Sequence, residues 1–459
     1  MSLRVSMTIV VWLLAPSASA QSDAVSPTQF ATPSAAEAVA TEGVAESAEI
    51  EAPDASGPPE DTGAHAVPAP TAVSAEEVAS PTPRWAFQIH GFVSEGGFLS
   101  TANEYIGTSS RGSLKFFEAG LNVSLEPIDQ LRVGMQLVFR SIGSLSEDAP
   151  RVDWAVVDYR LESWLGMRAG IIKIPLGLYN EYVDIDATRT MILLPQSVYP
   201  MRNRDALISH TGFAVYGDVG IGGGGRLDYQ AWFGTLTIPR SALELAGASL
   251  ASVDTKYVTG GQVFWHPPLE GLRVGASYLR ASVDFDLVLD ADVLAQLVMA
   301  NLLPPEHNGE LVISQRPTSL WVASAEYIRG DWLFAAEYSR WLKRQQSSLA
   351  ALIPTTEEDA ERFYVMATYR LSSYFELGTY CAVTHADVSD RDGASSTLSH
   401  PFQAFQRDLA ASLRIDVNAY WLWKIEAHLI DGVAELQASQ NPNPKRYWGL
   451  FLFRTTVMF

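Results

Sequence analysis

The sequence predicts an all-β chain: a transmembrane antiparallel β-barrel of about 16 strands, with a third loop folded inward and a disordered N-terminal tail. Three observations carry this. The chain opens with an export signal. Most of its length is cut into segments of about ten residues that alternate apolar and polar positions. Short turns and long loops alternate between those segments.

The N-terminus comes first. Arg4 supplies a positive region, residues 7–15 a short apolar core, and Ala18-Ser19-Ala20 a small-residue cleavage site, so residues 1–20 read as a signal peptide. Residues 21–83 are rich in Ala, Pro, Glu, Ser and Thr, with eleven acids and no Lys or Arg. Such a segment cannot bury enough apolar surface to offset the entropy of ordering it, and it reads as a disordered acidic tail. The whole chain carries a net charge of −20. Without tail and signal, residues 84–459 keep 41 acids and 31 bases. A phosphate backbone needs a basic face, so no nucleic-acid partner is expected. The single cysteine, Cys381, excludes an intrachain disulfide and a Cys-based metal site.

From residue 84 onward the period is two. Leu131, Val133, Met135, Leu137 and Phe139 fall on one face, with Arg132, Gln136 and Arg140 on the other. Trp421, Trp423, Ile425, Ala427 and Leu429 oppose Lys424, Glu426 and His428. No run of about 20 apolar residues is available for a spanning helix, but membrane strands need none, because only alternate residues face lipid. Tyr and Trp recur at strand ends, as in an interfacial girdle. Seven short turns and eight long loops connect 16 strands, and an even count places both termini at the short-turn, periplasmic end. The long loops are expected near 102–112, 143–150, 174–210, 237–257, 285–316, 343–360, 387–401 and 432–445. The last strand ends in Phe459, with apolar residues at alternate positions before it. That pattern resembles the insertion signal of outer-membrane proteins. In the 285–316 loop, Asp290 and Asp292 precede an apolar run that stops at Pro304, which predicts a short helix at the barrel mouth.

The third long loop is apolar as well as long, so it is expected to pack against the inner wall. The stretch Trp154-Ala155-Val156-Val157-Asp158-Tyr159-Arg160, then Ala169-Gly170-Ile171-Ile172-Lys173-Ile174-Pro175-Leu176-Gly177, then Leu194-Pro195-Gln196-Ser197-Val198-Tyr199, resembles the phosphate-selective porin O and P family, within the general bacterial porins. The resemblance implies a sixteen-stranded barrel, usually a homotrimer, whose third loop narrows a pore. The sequence departs from that family in having only six lysines in the barrel region, with acids interspersed among its arginines. Phosphate selectivity is therefore not part of the expectation.

The expected function is passive diffusion of small polar or ionic solutes across the outer membrane, with lipid as the surrounding partner and no cofactor. Selectivity in such a pore comes from size and charge at the constriction. The constriction is expected at Lys173, Asp184, Asp186, Arg189, Arg202 and Arg204. The wall of the pore is expected to carry Arg132, Arg140, Arg160, Arg168, Arg273, Arg414, Arg454, Glu118 and Asp158. Two alternatives stand beside this reading. One is a non-conducting barrel that serves as an adhesin or structural protein. The other is an outer-membrane hydrolase, which would need a serine within reach of one of the eight histidines.

Overall fold

The computed structural model describes residues 86–459, apart from 144, 146–147, 239–246, 351 and 395–397. The expected signal peptide and acidic tail lie outside the described residues. Sixteen strands form one closed antiparallel barrel in which each strand pairs with its sequence neighbours and the first pairs with the last. They are β1 (Ala86–Ser100), β2 (Phe116–Ile128), β3 (Leu131–Ile142), β4 (Pro150–Glu162), β5 (Leu165–Lys173), β6 (Ser209–Gly220), β7 (Arg226–Leu236) and β8 (Ala248–His266). The second half comprises β9 (Leu272–Leu289), β10 (Glu310–Arg329), β11 (Trp332–Ser347), β12 (Thr356–Arg370), β13 (Phe375–His385), β14 (Phe405–Asn418), β15 (Trp421–Gly432) and β16 (Tyr447–Met458). Closure leaves no unpaired edge, the condition that lets a sheet cross hydrocarbon. The last strand seals against the first through Val93↔Val457 and Phe98↔Leu452, and the Phe459 carbonyl accepts from the Gly91 N–H at 3.0 Å.

Alternation sorts the side chains by face. Phe213, Phe233, Phe334, Val365, Leu377, Leu409, Ile425, Leu429 and Phe451 are exposed on the outside, while Glu118, Arg140, Glu337, Lys424, Glu426 and Arg454 are buried on the inside. A soluble protein does the reverse. The outer surface is an apolar belt flanked by exposed Trp332, Tyr374, Tyr420 and Tyr447, the arrangement a bilayer requires.

The barrel wall is uneven. Strands β8 to β12 run 15–20 residues, whereas β5 and β7 have 9 and 11. Here the structure differs from the sequence expectation, which placed loops at 237–257, 285–316 and 343–360. Strand pairing runs on past the belt, as Glu310↔Val288 and Ala248↔Leu289 show. The cause is an apolar inner face: Val283, Phe285, Leu287, Leu311 and Ile313 are fully buried and continue the core that residues 174–208 join. The predicted helix in this region is α2, after the four-residue α1 (Arg204–Leu207). It spans Ala291–Met299, begins after Asp290 and buries Leu297 against that core.

Candidate functional site: the lumen and loop three

Loop three, residues 174–208, enters the barrel. It is pinched at its base by Ile174 N–H donating to the Ile208 carbonyl at 2.9 Å. Between those ends Leu176, Leu178, Met191, Leu194 and Val198 are buried with wall residues Ala214, Leu279, Val322 and Tyr380. Each such side chain contributes about 1.5–3 kcal/mol by leaving water, which offsets the cost of ordering a long segment. Gly177 turns the chain with φ 63°; a Cβ there would collide with the Tyr199 hydroxyl and the Glu337 carboxylate.

Two aspartates grip one side of the wall. Asp184 pairs with Arg140 of β3, Lys173 at the end of β5, and Arg204 of α1. Asp186 lies 2.9 Å from Lys424 Nζ of β15 and accepts from Thr456 of β16 at 2.9 Å. Arg204 also reaches Glu118 of β2 at 3.0 Å, and Arg454 donates to the same carboxylate at 2.5 Å. Burial pushes both aspartate carboxyls up, but the cations outweigh it. Lys173, Arg204 and Arg140 hold Asp184 well below the usual carboxylate range, and Lys424, Arg454 and Arg189 hold Asp186 below it.

The opposite wall presents glutamates. Glu337 of β11 accepts from the Leu178 N–H at 2.9 Å, from the Tyr364 hydroxyl at 2.7 Å and from Ser324 and Tyr199. Burial and the Glu337 carboxylate push the Tyr199 hydroxyl well above its usual range, so it remains a donor. Tyr179 donates to Glu326 of β10 at 3.1 Å, and Thr190 to Glu376 of β13. Back on the β15 side, Glu426 accepts from Ile192 and Leu193 N–H at 2.7 and 2.9 Å. His428 sits between Glu426 and Asp408, 3.0 Å from each. Both of its ring nitrogens face carboxylates, which leaves neither free to activate a serine. Strands β3 and β11 are eight apart in a sixteen-strand ring, so loop three spans the lumen from one side to the other. It also reaches down: Thr190 meets the second residue of β13, beside the short turn.

The expected constriction residues meet different fates. Lys173, Asp184, Asp186 and Arg204 come together in the buried network. Arg189 serves the loop itself, donating to the Val183, Met191 and Ile192 carbonyls at 2.8, 3.2 and 3.3 Å. Arg202 is half-buried on the turn Met201–Asn203, within electrostatic reach of Tyr105. The expected wall residues divide in two. Glu118, Arg140 and Arg454 lie in the network, and Arg414 donates to the Ala187 carbonyl at 2.6 Å. The others form a wetter collar toward the short-turn end. There Arg160 pairs with Asp218 at 2.9 Å, Arg168 with Asp158 at 2.9 Å and Arg273 with Glu326 at 2.8 Å, while Arg132 is exposed.

Sequence reasoning missed Asp153. Counting back in twos from Val157 places it on the lipid face. The register shift between Gln136 and Leu137 inserts one residue and turns Asp153 inward, where it meets Gln136 and Lys173 at 2.9 and 2.6 Å.

No family model matches the sequence, and no curated protein does. Solved structures do. OmpT of Vibrio cholerae, expressed in the outer membrane, superposes with a TM-score of 0.51 at 10% identity, over 83% of this chain and 99% of that one. Salmonella typhi OmpF, solved with daunomycin, gives 0.51 at 10% identity, over 81% and 97%. What is shared is the fold, a closed outer-membrane β-barrel. The likeness is to the general barrel and does not single out the phosphate-selective branch.

Proposed function

We propose that this chain is a bacterial outer-membrane porin that passes small polar or ionic solutes along a lumen strongly narrowed by loop three, and that it assembles as a homotrimer. The observation that carries the reading is the collar of paired charges at the short-turn end. Arg160, Arg168 and Arg273 face inward with their acids, and the Arg160 side chain is 46% exposed. Part-exposed pairs keep their hydration instead of meeting the desolvation cost of the buried network. A water path past them uses their fields to admit polar solutes.

A second reading has its own observation in favour. Loop three is bonded to β3 and to β11 at once, as a plug would be. Conductance across a planar bilayer, with purified full-length chain and a salt gradient, separates the two. A steady current with a defined reversal potential supports the porin. Silence from a folded, heat-modifiable barrel refutes it in favour of the plugged barrel. Cross-linking in the same detergent tests the trimer.

A further inference from the structure

Two apolar cores pack around loop three. One binds it to β5–β14 through Leu194, Val198, Trp341, Tyr364 and Ala410; the other binds it to β1–β3 and β15–β16 through Ile192, Leu193, Phe98, Ile430 and Leu450. A file of polar side chains runs between the two. Gln406 and Asp408 share the inner face of β14. The Tyr380 hydroxyl donates to Asp408 at 3.2 Å, and His428 bridges Asp408 and Glu426, 3.0 Å from each. Glu426 in turn holds loop three. Above Gln406 comes the last long loop, residues 433–446: its Glu435 N–H donates to Gln406 Oε1 at 3.2 Å. A polar solute gives up its hydration only where such groups replace it, and the apolar cores do not.

At the upper end of this file Arg362 of β12 faces Glu435. Arg362 Nη2 stands 3.9 Å from Glu435 Oε1, with side chains only 2% and 9% exposed. Arg362 Nε and Glu435 Oε1 have no hydrogen-bond partner. Four residues further up β12, Glu358 is 39% exposed and 3.7 Å from Lys343 of β11, so the outside begins just beyond the pair. The Trp341 ring backs both cations, with Arg362 at 5.0 Å and Lys343 at 4.5 Å from its centre. The anchors of loop three are tighter: Lys424 meets Asp186 at 2.9 Å and Arg454 meets Glu118 at 2.5 Å. A buried pair at 3.9 Å, without a direct hydrogen bond, does not offset the cost of drying its two ions. Water entering between them does, so this pair parts readily where the anchors hold. The backbone behind Glu435 stays in place. Asn103 of the first long loop exchanges two hydrogen bonds with the Lys445 backbone at 2.7 and 2.8 Å, and Asn441 exchanges two with the Glu104 backbone, both at 2.8 Å. Parting the pair therefore moves side chains alone.

We propose that Arg362 and Glu435 form a side-chain gate at the outer end of the lumen. Closed, the pair shuts the polar file from the outside; parted by water, it lets small polar solutes pass along Gln406, Asp408 and His428 toward loop three. This rests on the porin reading above and adds its control.

The test uses the full-length chain carrying Cys381→Ala, which removes the exposed native thiol, and Thr384→Cys. Thr384 is buried on the inner face of β13, the register partner of both Arg362 and Gln406. Two quantities are read: the rate at which a cationic methanethiosulfonate reagent modifies the new thiol, and the conductance across a planar bilayer. Arg362→Glu sets two carboxylates against each other and should raise the modification rate about tenfold. Adding Glu435→Arg restores an opposite pair and should return the slow rate, an outcome that misfolding cannot produce. Conductance should rise and fall in the same order. Equal modification rates in the three proteins overturn the gate, and if the unswitched chain still conducts, the porin reading survives that failure. Modification that follows the pairing in a barrel that never conducts supports the closure and overturns the porin reading instead. Conductance that stays level while modification follows the pairing overturns the gate as a control on solute flow.

Discussion

On the β3–β5 and β15–β16 side of the lumen, loop three brings two aspartates to buried cations; on the β10–β13 side it brings uncharged donors, backbone N–H groups and tyrosine hydroxyls, to buried glutamates. In the first region both partners are charged and out of water, and each is costly without the other. In the second the charge sits on the wall alone, spread over several neutral donors, and losing one donor leaves the rest in place. The same loop is thus held rigidly at one side and redundantly at the other. Removing charge from the loop should unseat it far more than removing a hydroxyl.

The largest effect is expected from the double substitution Asp184→Asn and Asp186→Asn. It takes the carboxylate from Lys424 and leaves Arg140, Lys173, Arg204 and Arg454 sharing Glu118 and Asp153, and a broken buried pair costs about 3–5 kcal/mol. Loop three should leave its seat, with higher single-channel conductance and rapid proteolysis within residues 174–208. Undiminished protection would mean that the cations are solvated and the comparison fails. Glu337→Gln comes next, because it removes the charged acceptor of four donors. Hydrogen bonds to a charged group contribute about 1.5–3 kcal/mol, and the amide oxygen still accepts. Proteolysis should quicken measurably while the barrel keeps its heat-modifiable migration.

Tyr199→Phe is milder. Leu178 N–H keeps its Glu337 partner, while that carboxylate loses one of its four donors and the Tyr179 N–H its acceptor, so the loss should be about 1.5–3 kcal/mol, read as a modest rise in proteolysis rate. The smallest effect concerns pH. Both aspartates have folded pKa values below the ordinary one, so their contribution is complete above about pH 4 and is lost as pH falls through the lower folded values. Loop-three protection should be flat between pH 8 and 5 if only these groups govern it. A transition within that window would mean that a group other than these two aspartates governs the loop.

Much of the barrel was legible beforehand because a membrane strand writes its orientation into every second residue. Leu131 to Phe139 and Trp421 to Leu429 needed no tertiary information to be assigned a lipid face. The inward course of loop three was legible for a similar reason, since Leu176, Leu178, Leu193 and Leu194 have no stable place in extracellular water. The partners were not. Asp184 and Asp186 are two residues apart, yet one meets β3 and β5 and the other β15 and β16, and no local pattern ranks those choices. Asp153 was hidden by a bulge, which shifts the period by one without any mark in composition. The tall wall was hidden because strands beyond the membrane pair through apolar inner faces that read like loop packing.

The sequence by itself determined that residues 86–459 form a closed, outwardly apolar barrel, because alternation and an even strand count follow from chain geometry and solvent alone. Only the tertiary structure decided what fills it. A buried charge is settled by whichever opposite charge the fold brings within about 4 Å, and those partners lie as many as 336 residues away, as Glu118 and Arg454 do.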